Sequence, residues 1–383
     1  MREAVVVAAK RTPVGKEGGA LKHVEPEELA ASLIQHILEM NEINGGEIDE
    51  VILGNAVGPG GNIARKTALK AGLPESVPGV TIDRQCGSGL EAITIAARLI
   101  QAGAGDLYLA GGVESTSRAP WRIHKPRSLY GQGPEFYMRA PFAPEETGDP
   151  EMGEAAENVA EKYGISRSEQ DRFAANSHAK AWSAQADGRF ASEIVPVPGV
   201  SAEIDEGPRA NMSERRLRRL PPVFIEQGTV TSGNACQIND GAAVVLLMSK
   251  EKCSDLGLSP LLTFVDANTQ GVDPNYLGIG PVPAVQKLLE RQQLTSTDID
   301  LVEFNEAFAS QVLASLHELK IPEEKVNAGG GAIAFGHPYG ASGAILVTRL
   351  VTEMNTRAGL NYGLATLGIG GGMGSAVLFQ ASE

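Results

Sequence analysis

Two kinds of apolar run alternate along this chain: short β-branched stretches and longer stretches with helical spacing. Residues 4–12 (AVVVAAKRT) are apolar on both faces and predict a buried strand. Residues 25–40 place Leu29, Leu33, Ile37 and Met40 at helical spacing, with Glu27 and Glu28 in the first turn, where the helix dipole favours acids. Residues 49–56 (DEVILGNA) predict a strand, and residues 61–72 a helix closed by Gly72. Residues 80–86 (VTIDRQC) predict a short strand running into a turn. A helix over 90–103 and a strand over 106–115 complete the unit. The C-terminal half repeats the plan: strand 261–269, helix 281–292, strand 299–307, helix 308–319, helix 341–354 and a strand through 363–380. Alternation of this kind predicts a layered α/β fold.

Residues 119–223 differ in character. They are rich in Pro, Gly, Arg and Glu and carry two helical stretches, 153–164 and 167–186. This segment reads as an inserted loop domain or lid, and a connection of that length is usually functional. Residues 230–249 (VTSGNACQINDGAAVVLLMS) then supply a last strand to the first half. The expected organisation is residues 1–118 plus 224–258 as one half, 119–223 as the lid, and 259–383 as the other half.

Composition narrows the function. The 383 residues, 42% of them apolar and 21% charged, describe an ordinary globular chain with room for two domains. Its 45 glycines exceed the roughly 27 that average usage would give, and they cluster at turns. A net charge of −14 argues against a nucleic-acid partner, whose phosphates need a basic face. One basic island, ERRLRRL with Arg215, Arg216, Arg218 and Arg219, is either a solvated helix face or an attraction for an anionic ligand carrying phosphates. Three cysteines, Cys86, Cys236 and Cys253, are no disulfide framework and suggest a reducing compartment. Scattered histidines without metal-ligand spacing predict no metal site. The short run Val5–Ala9 does not form a signal peptide and nothing approaches a membrane span, so the expected location is the cytoplasm.

The two halves match in detail. IDEVILGN carries Asp49 and IDLVEFNEA carries Asp300; Cys86 follows the first by 37 residues (86 − 49) and His337 follows the second by 37 (337 − 300). A thiol in DRQCGSGLEAI and an imidazole in AFGHPYGASGAI thus occupy equivalent positions of a duplicated unit. That placement suggests one active site across a pseudo-two-fold axis. Cys86 sits where a strand turns into a helix, and the free N–H groups there favour a thiolate and an oxyanion together. Histidine is the natural base for such a nucleophile. Asn305 and Glu306 end an apolar strand, either as a helix cap or as holders of a water or imidazole at the centre. The run Gly368–Gly374 (GIGGGMG) fails the spacing of a dinucleotide fingerprint, because Met373 and Ser375 stand where the third glycine is required. A glycine turn offering N–H groups to an oxyanion fits better.

The motifs CGSGLEA, GNACQINDGAA, NEAFA, GGAIAFGHPYGASGA and GIGGGMG, in that order over nearly the whole chain, resemble those of the thiolase family. The resemblance implies a five-layered αβαβα fold built from two duplicated halves with an inserted loop domain. It also implies coenzyme A and acyl-CoA thioesters as substrates, no cofactor, and a homodimer or homotetramer. It places the acyl-accepting nucleophile at Cys86 and its base at His337. It places a water-holding side chain at Asn305 and an oxyanion hole at the N–H groups of Cys86 and Gly370. Substrate contacts map to Met152, Arg209, Phe224, Cys236, Leu277, Ala307 and Phe308. One departure stands out: where the family carries a second cysteine, two residues before the oxyanion-hole glycine, this chain has Gly368. That thiol shuttles the α-carbon proton of the acetyl group. Its loss predicts an impaired Claisen step, unless Cys236, which stands where the family usually has serine, replaces it. A working thiolase is the expected function; an acyl-CoA hydrolase or acyl carrier, or a non-catalytic acyl-CoA binder, is the alternative.

Overall fold

A computed structural model of the chain describes residues 2–126, 128, 130, 133–137 and 139–382. The first half contains β1 (Ala4–Arg11), β2 (Gly15–Lys16), α1 (Pro26–Met40), β3 (Glu50–Gly54), α2 (Ile63–Lys70), β4 (Gly79–Ile82), α3 (Ser88–Ala102) and β5 (Leu107–Glu114). The intervening segment holds β6 (Arg122–His124), β7 (Glu135–Tyr137), α4 (Met152–Tyr163), α5 (Arg167–Ala186) and the short α6 (Glu214–Leu217). The chain returns through β8 (Asn239–Ser249) and α7 (Lys250–Asp255). The second half runs β9 (Leu262–Gly271), α8 (Pro281–Gln292), β10 (Leu301–Phe304), α9 (Ala309–Leu319), α10 (Ala332–Phe335), α11 (Tyr339–Thr356), β11 (Tyr362–Ile369) and β12 (Met373–Ala381).

The strands lie in the order β4-β3-β5-β8-β1 in one half and β10-β11-β12-β9 in the other. A parallel bridge from Val302 to Val326 supplies the second half with its counterpart of β4. The halves join where Val5 and Val6 of β1 pair antiparallel with Thr263 and Leu262 of β9. One apolar cluster packs α3 and α11 between the two halves of the sheet. A second puts α1 and α2 on the outer face of the first half, and a third puts α8 and α9 on the outer face of the second. The expected five layers are therefore present.

The matched aspartates do the same work in each half. Asp49 accepts from the N–H groups of Asp106 and Leu107 at 2.6 and 2.9 Å, and Asp300 from those of Asn361 and Tyr362 at 2.7 and 2.9 Å. Each carboxylate pins the start of the neighbouring parallel strand.

Two expectations are corrected. Residues 363–380 are two strands, β11 and β12, which pair antiparallel from Tyr362↔Gln380 to Ile369↔Met373. Between them Gly371 and Gly372 take φ of 85° and 79°, a left-handed conformation that makes the reversal and suits glycine. The strand expected within 230–249 begins only at Asn239, because residues 230–238 turn through the site described next.

Candidate active site

The two central helices meet at their N-termini through glycine. A Cβ on Gly89 of α3 would stand 2.6 Å from the carbonyl oxygen of Gly340 in α11, and one on Gly343 would overlap the backbone nitrogen of Leu90. No side chain separates the helices here, so the turns preceding them, which carry Cys86 and His337, lie side by side. The structure thus sets the two turns that the duplication pairs against one seam.

Local hydrogen bonds shape the first turn. Gln85 takes a φ of 47°, an uncommon conformation for a non-glycine residue. Its N–H donates to Asp83 Oδ1 at 2.8 Å. The Ser88 hydroxyl accepts from the Arg84 N–H at 2.8 Å and donates to the Gln85 carbonyl at 2.6 Å. The turn holds Cys86 partly buried, with its sulfur near the backbone N–H groups of Gly370 and of Cys86 itself, which favour its charged form. Burial nevertheless dominates and pushes the thiol up to about 11, with the Glu114 and Asp83 carboxylates adding in the same direction. This corrects the expectation of a preformed thiolate: desolvation outweighs the helix terminus.

His337 is 2% exposed. Its Nδ1 lies 2.5 Å from the Ser342 hydroxyl, which itself donates to the Pro338 carbonyl at 3.1 Å. With its single proton committed to Pro338, Ser342 accepts from Nδ1–H, which leaves Nε2 unprotonated and able to act as base. Burial lowers the imidazole to about 4, so it rests neutral. The His337 backbone N–H donates to Asn239 Oδ1 at 3.0 Å. Buried Glu114 accepts from Gly340 N in the first turn of α11 at 3.0 Å, from Asn55 Nδ2 at 2.8 Å and from Ala56 N at 2.9 Å. This carboxyl ties the helix that follows the His337 turn to the turn after β3, and burial raises it to about 7.

Asn305 and Glu306 take separate roles, and neither caps α9. Asn305 Nδ2 lies 3.4 Å from both ring nitrogens of His337. Glu306 is buried and accepts from Ser177 Oγ at 2.6 Å, Asn327 Nδ2 at 2.7 Å and Ile333 N at 3.2 Å. It clamps the loop that leads to His337.

Several expected substrate contacts also converge. Cys236 donates its N–H to the Ala307 carbonyl at 2.9 Å, and its neighbour Ala235 bridges to Phe308. Phe308 meets Phe224 edge-on at 6.1 Å between centroids. Phe224 fills the space where a Cβ on Gly153, next to Met152 at the start of α4, would stand. Burial pushes the Cys236 thiol up to about 12, and the next influence on it is the charge of Cys86, which places the two thiols within electrostatic reach. Leu277 is buried, with its carbonyl oxygen 3.5 Å from the Cβ position of Gly368. Arg209 is exposed, and its charge acts on the buried His178. Gly368 sits within β11, opposite Gly374.

Sequence reasoning missed Ser342, Glu114, Asn239 and the clamping role of Glu306. Ser342 had a signal, since it lies five residues beyond His337 in the same glycine-framed motif. Among the described residues, no group of three or more His, Cys, Asp or Glu side chains is placed to hold a metal ion.

Comparison with known proteins bears on this geometry. The family description "Thiolase, N-terminal domain" matches residues 4–251, and "Thiolase, C-terminal domain" matches residues 258–381. The chain is 54% identical over 383 residues to the "Putative acetyl-CoA C-acetyltransferase VraB" of Staphylococcus haemolyticus, and 52% identical to that of Staphylococcus epidermidis, covering 99% of each chain. Among solved structures it is similar to the Bacillus anthracis acetyl-CoA acetyltransferase, with a TM-score of 0.94 and 41% identity over 100% of this chain and 99% of that one. It is also similar to human mitochondrial 3-ketoacyl-CoA thiolase in complex with CoA, with a TM-score of 0.93 and 36% identity over 100% and 98%.

Proposed function

The chain belongs to the thiolase family, and on that premise we propose that it is a thiolase-type acetyl-CoA C-acyltransferase working through an acyl-Cys86 intermediate. The observation that carries this reading is the meeting of the Cys86 and His337 turns at the glycine contact between α3 and α11. In cleavage, His337 Nε2 takes the Cys86 proton as the sulfur attacks the 3-oxo carbon of a 3-oxoacyl-CoA. The N–H groups of Cys86 and Gly370 receive the oxyanion, and Asn305 supports the thioester side beside His337. The bond between C2 and C3 then breaks, C2 takes a proton, and acetyl-CoA leaves. A second CoA thiol gives up its proton and takes the acyl group from Cys86, which restores the thiol.

Gly368 provides no thiol for protonating C2. Cys236 is the available donor: its raised pKa keeps it protonated at neutral pH, the form in which it can protonate a carbanion. Met152, Phe224, Cys236, Leu277, Ala307 and Phe308 are read as the walls of the acyl and pantetheine site. Arg209, together with the exposed Arg215, Arg216, Arg218 and Arg219, is read as the attraction for the CoA phosphates on an otherwise acidic chain. No cofactor beyond the CoA substrates is proposed.

A homodimer or homotetramer is proposed from two exposed features. The β4 edge strand carries Val80 at 37% exposure, and the β6–β7 hairpin presents Trp121 at 87% and Phe136 at 59%. Light scattering tests that part of the reading. No helix of the described residues is long and apolar enough to cross a membrane, and the three free cysteines support a reducing compartment such as the cytoplasm. The function itself is tested by incubating the protein with acetyl-CoA and mapping the acyl mass, expected on Cys86 and absent in Cys86→Ala, and by following acetoacetyl-CoA cleavage with CoA. Acylation without cleavage would mark a hydrolase or acyl carrier instead.

A further inference from the structure

Strand β11 turns alternate residues to opposite faces. Ile369 points inward, its Cδ1 2.5 Å from where a Cβ on Gly87 would stand, while Gly368 faces α9 on the other side. There the side-chain amide of Gln311 occupies the volume that a Cβ on Gly368 would take. Its stem is seated on Gly278, whose Cβ would stand 3.1 Å from Gln311 Cγ and 3.2 Å from its Cβ. Two glycines, one on each side, thus let a long polar side chain reach the position from which the family's second cysteine would project.

Gln311 is 2% exposed, and among the described residues its Nε2 has no hydrogen-bond acceptor. A buried amide donor left without an acceptor is destabilising, and an acceptor brought to it is correspondingly favoured. Gly370, two residues further along in the turn that ends the strand, brings its N–H to bear on the Cys86 sulfur. The unpaired donor at Gly368 therefore lies two residues along the chain from a backbone donor that faces the nucleophile.

We propose that Gln311 binds substrate, its side-chain amide joining the Cys86 and Gly370 N–H groups as a further donor to the 3-oxo oxygen of a short 3-oxoacyl thioester beside Gly368. The inference rests on the thiolase reading and deepens it by naming what replaces the lost side chain. It makes the pair Gly368 and Gln311 a determinant of preference for 3-oxoacyl over saturated acyl groups.

The test is binding without turnover. Cys86→Ala protein is titrated calorimetrically with acetoacetyl-CoA, with butyryl-CoA, which has four carbons and no 3-oxo group, and with CoA. Acetoacetyl-CoA is expected to bind about tenfold more tightly than butyryl-CoA. Gln311→Met should abolish that ratio while leaving CoA affinity unchanged. Gly368→Ala, which pushes the amide aside, should have the same effect and provides the reading if Gln311→Met fails to fold. A ratio that persists in both variants overturns the proposal while leaving the thiolase reading intact. Absence of any CoA-thioester binding overturns both. A ratio that depends on Gln311, in a protein whose wild type never cleaves acetoacetyl-CoA, overturns the reading and upholds Gln311.

Discussion

Alkylation of Cys86 across a range of pH decides whether this nucleophile rests as a thiol or as half of an ion pair. Burial places the Cys86 thiol at about 11 and the His337 imidazole at about 4. Moving the proton from sulfur to imidazole at rest thus spans seven pKa units, about 10 kcal/mol at 1.36 kcal/mol each. Attraction between the resulting charges would return about 4 kcal/mol even at contact, taken as about 4 Å with an effective dielectric of 20. Roughly 6 kcal/mol remains, so the ion pair is populated at about 10⁻⁴. Proton transfer must then accompany attack on the substrate. Iodoacetamide labelling of Cys86, followed by peptide mass between pH 5 and 10, should rise about tenfold per pH unit with no plateau below pH 9. A plateau between pH 5 and 8 that disappears in His337→Ala would refute the argument and restore the ion pair.

Other outcomes follow from the same geometry. His337→Ala should slow Cys86 acylation by about 10²–10⁴-fold in single-turnover assays, because the thiol loses its base. Cys236→Ser should slow acetoacetyl-CoA cleavage by at least about 10²-fold while leaving Cys86 acylation within threefold; equal cleavage rates would make Cys236 a packing residue. Glu306→Ala strands the donors of Ser177, Asn327 and Ile333 and should cost about 3–5 kcal/mol in urea unfolding. His178 is 2% exposed and lowered to about 4 by burial. The unfolded chain therefore binds a proton near pH 6.5 that the fold refuses, and stability present above pH 6.5 is lost as pH falls toward 4. At pH 5 this amounts to about 2 kcal/mol, which the difference in urea midpoints between wild type and His178→Leu, taken at pH 7.5 and pH 5, should reveal.

Much of this could be read from residue order because a duplication writes its evidence twice. The 37-residue spacing from Asp49 to Cys86 and from Asp300 to His337 reflects one arrangement of strand, turn and helix that each half repeats, down to the two N–H groups each aspartate accepts. Other features depend on what lies across the fold. Glu306 looks like a cap in sequence, yet its partners are 21, 27 and 129 residues away. The acidity of Cys86 turns on burial, which no local motif carries, so the helix-terminus argument pointed the wrong way. The β11–β12 hairpin was hidden because its glycines sit in an apolar run that reads as continuous. Gln311 left a trace only as a polar residue among the apolar positions of FASQVLASLHEL.

Where the first half meets α11, the gap is closed by main-chain atoms: Gly89 of α3 and Gly112 of β5 against Gly340, and Gly343 against Leu90. The spacing between nucleophile and base is consequently a property of the backbone, without an adjustable side chain at the seam. Adding one methyl group at any of these glycines would push the halves apart, and a misplacement of about 1 Å can cost on the order of 10²-fold in rate. Changes of substrate must therefore come from elsewhere, in the inserted segment and around Gly368. The seam fixes the reaction, and the surrounding walls are free to drift.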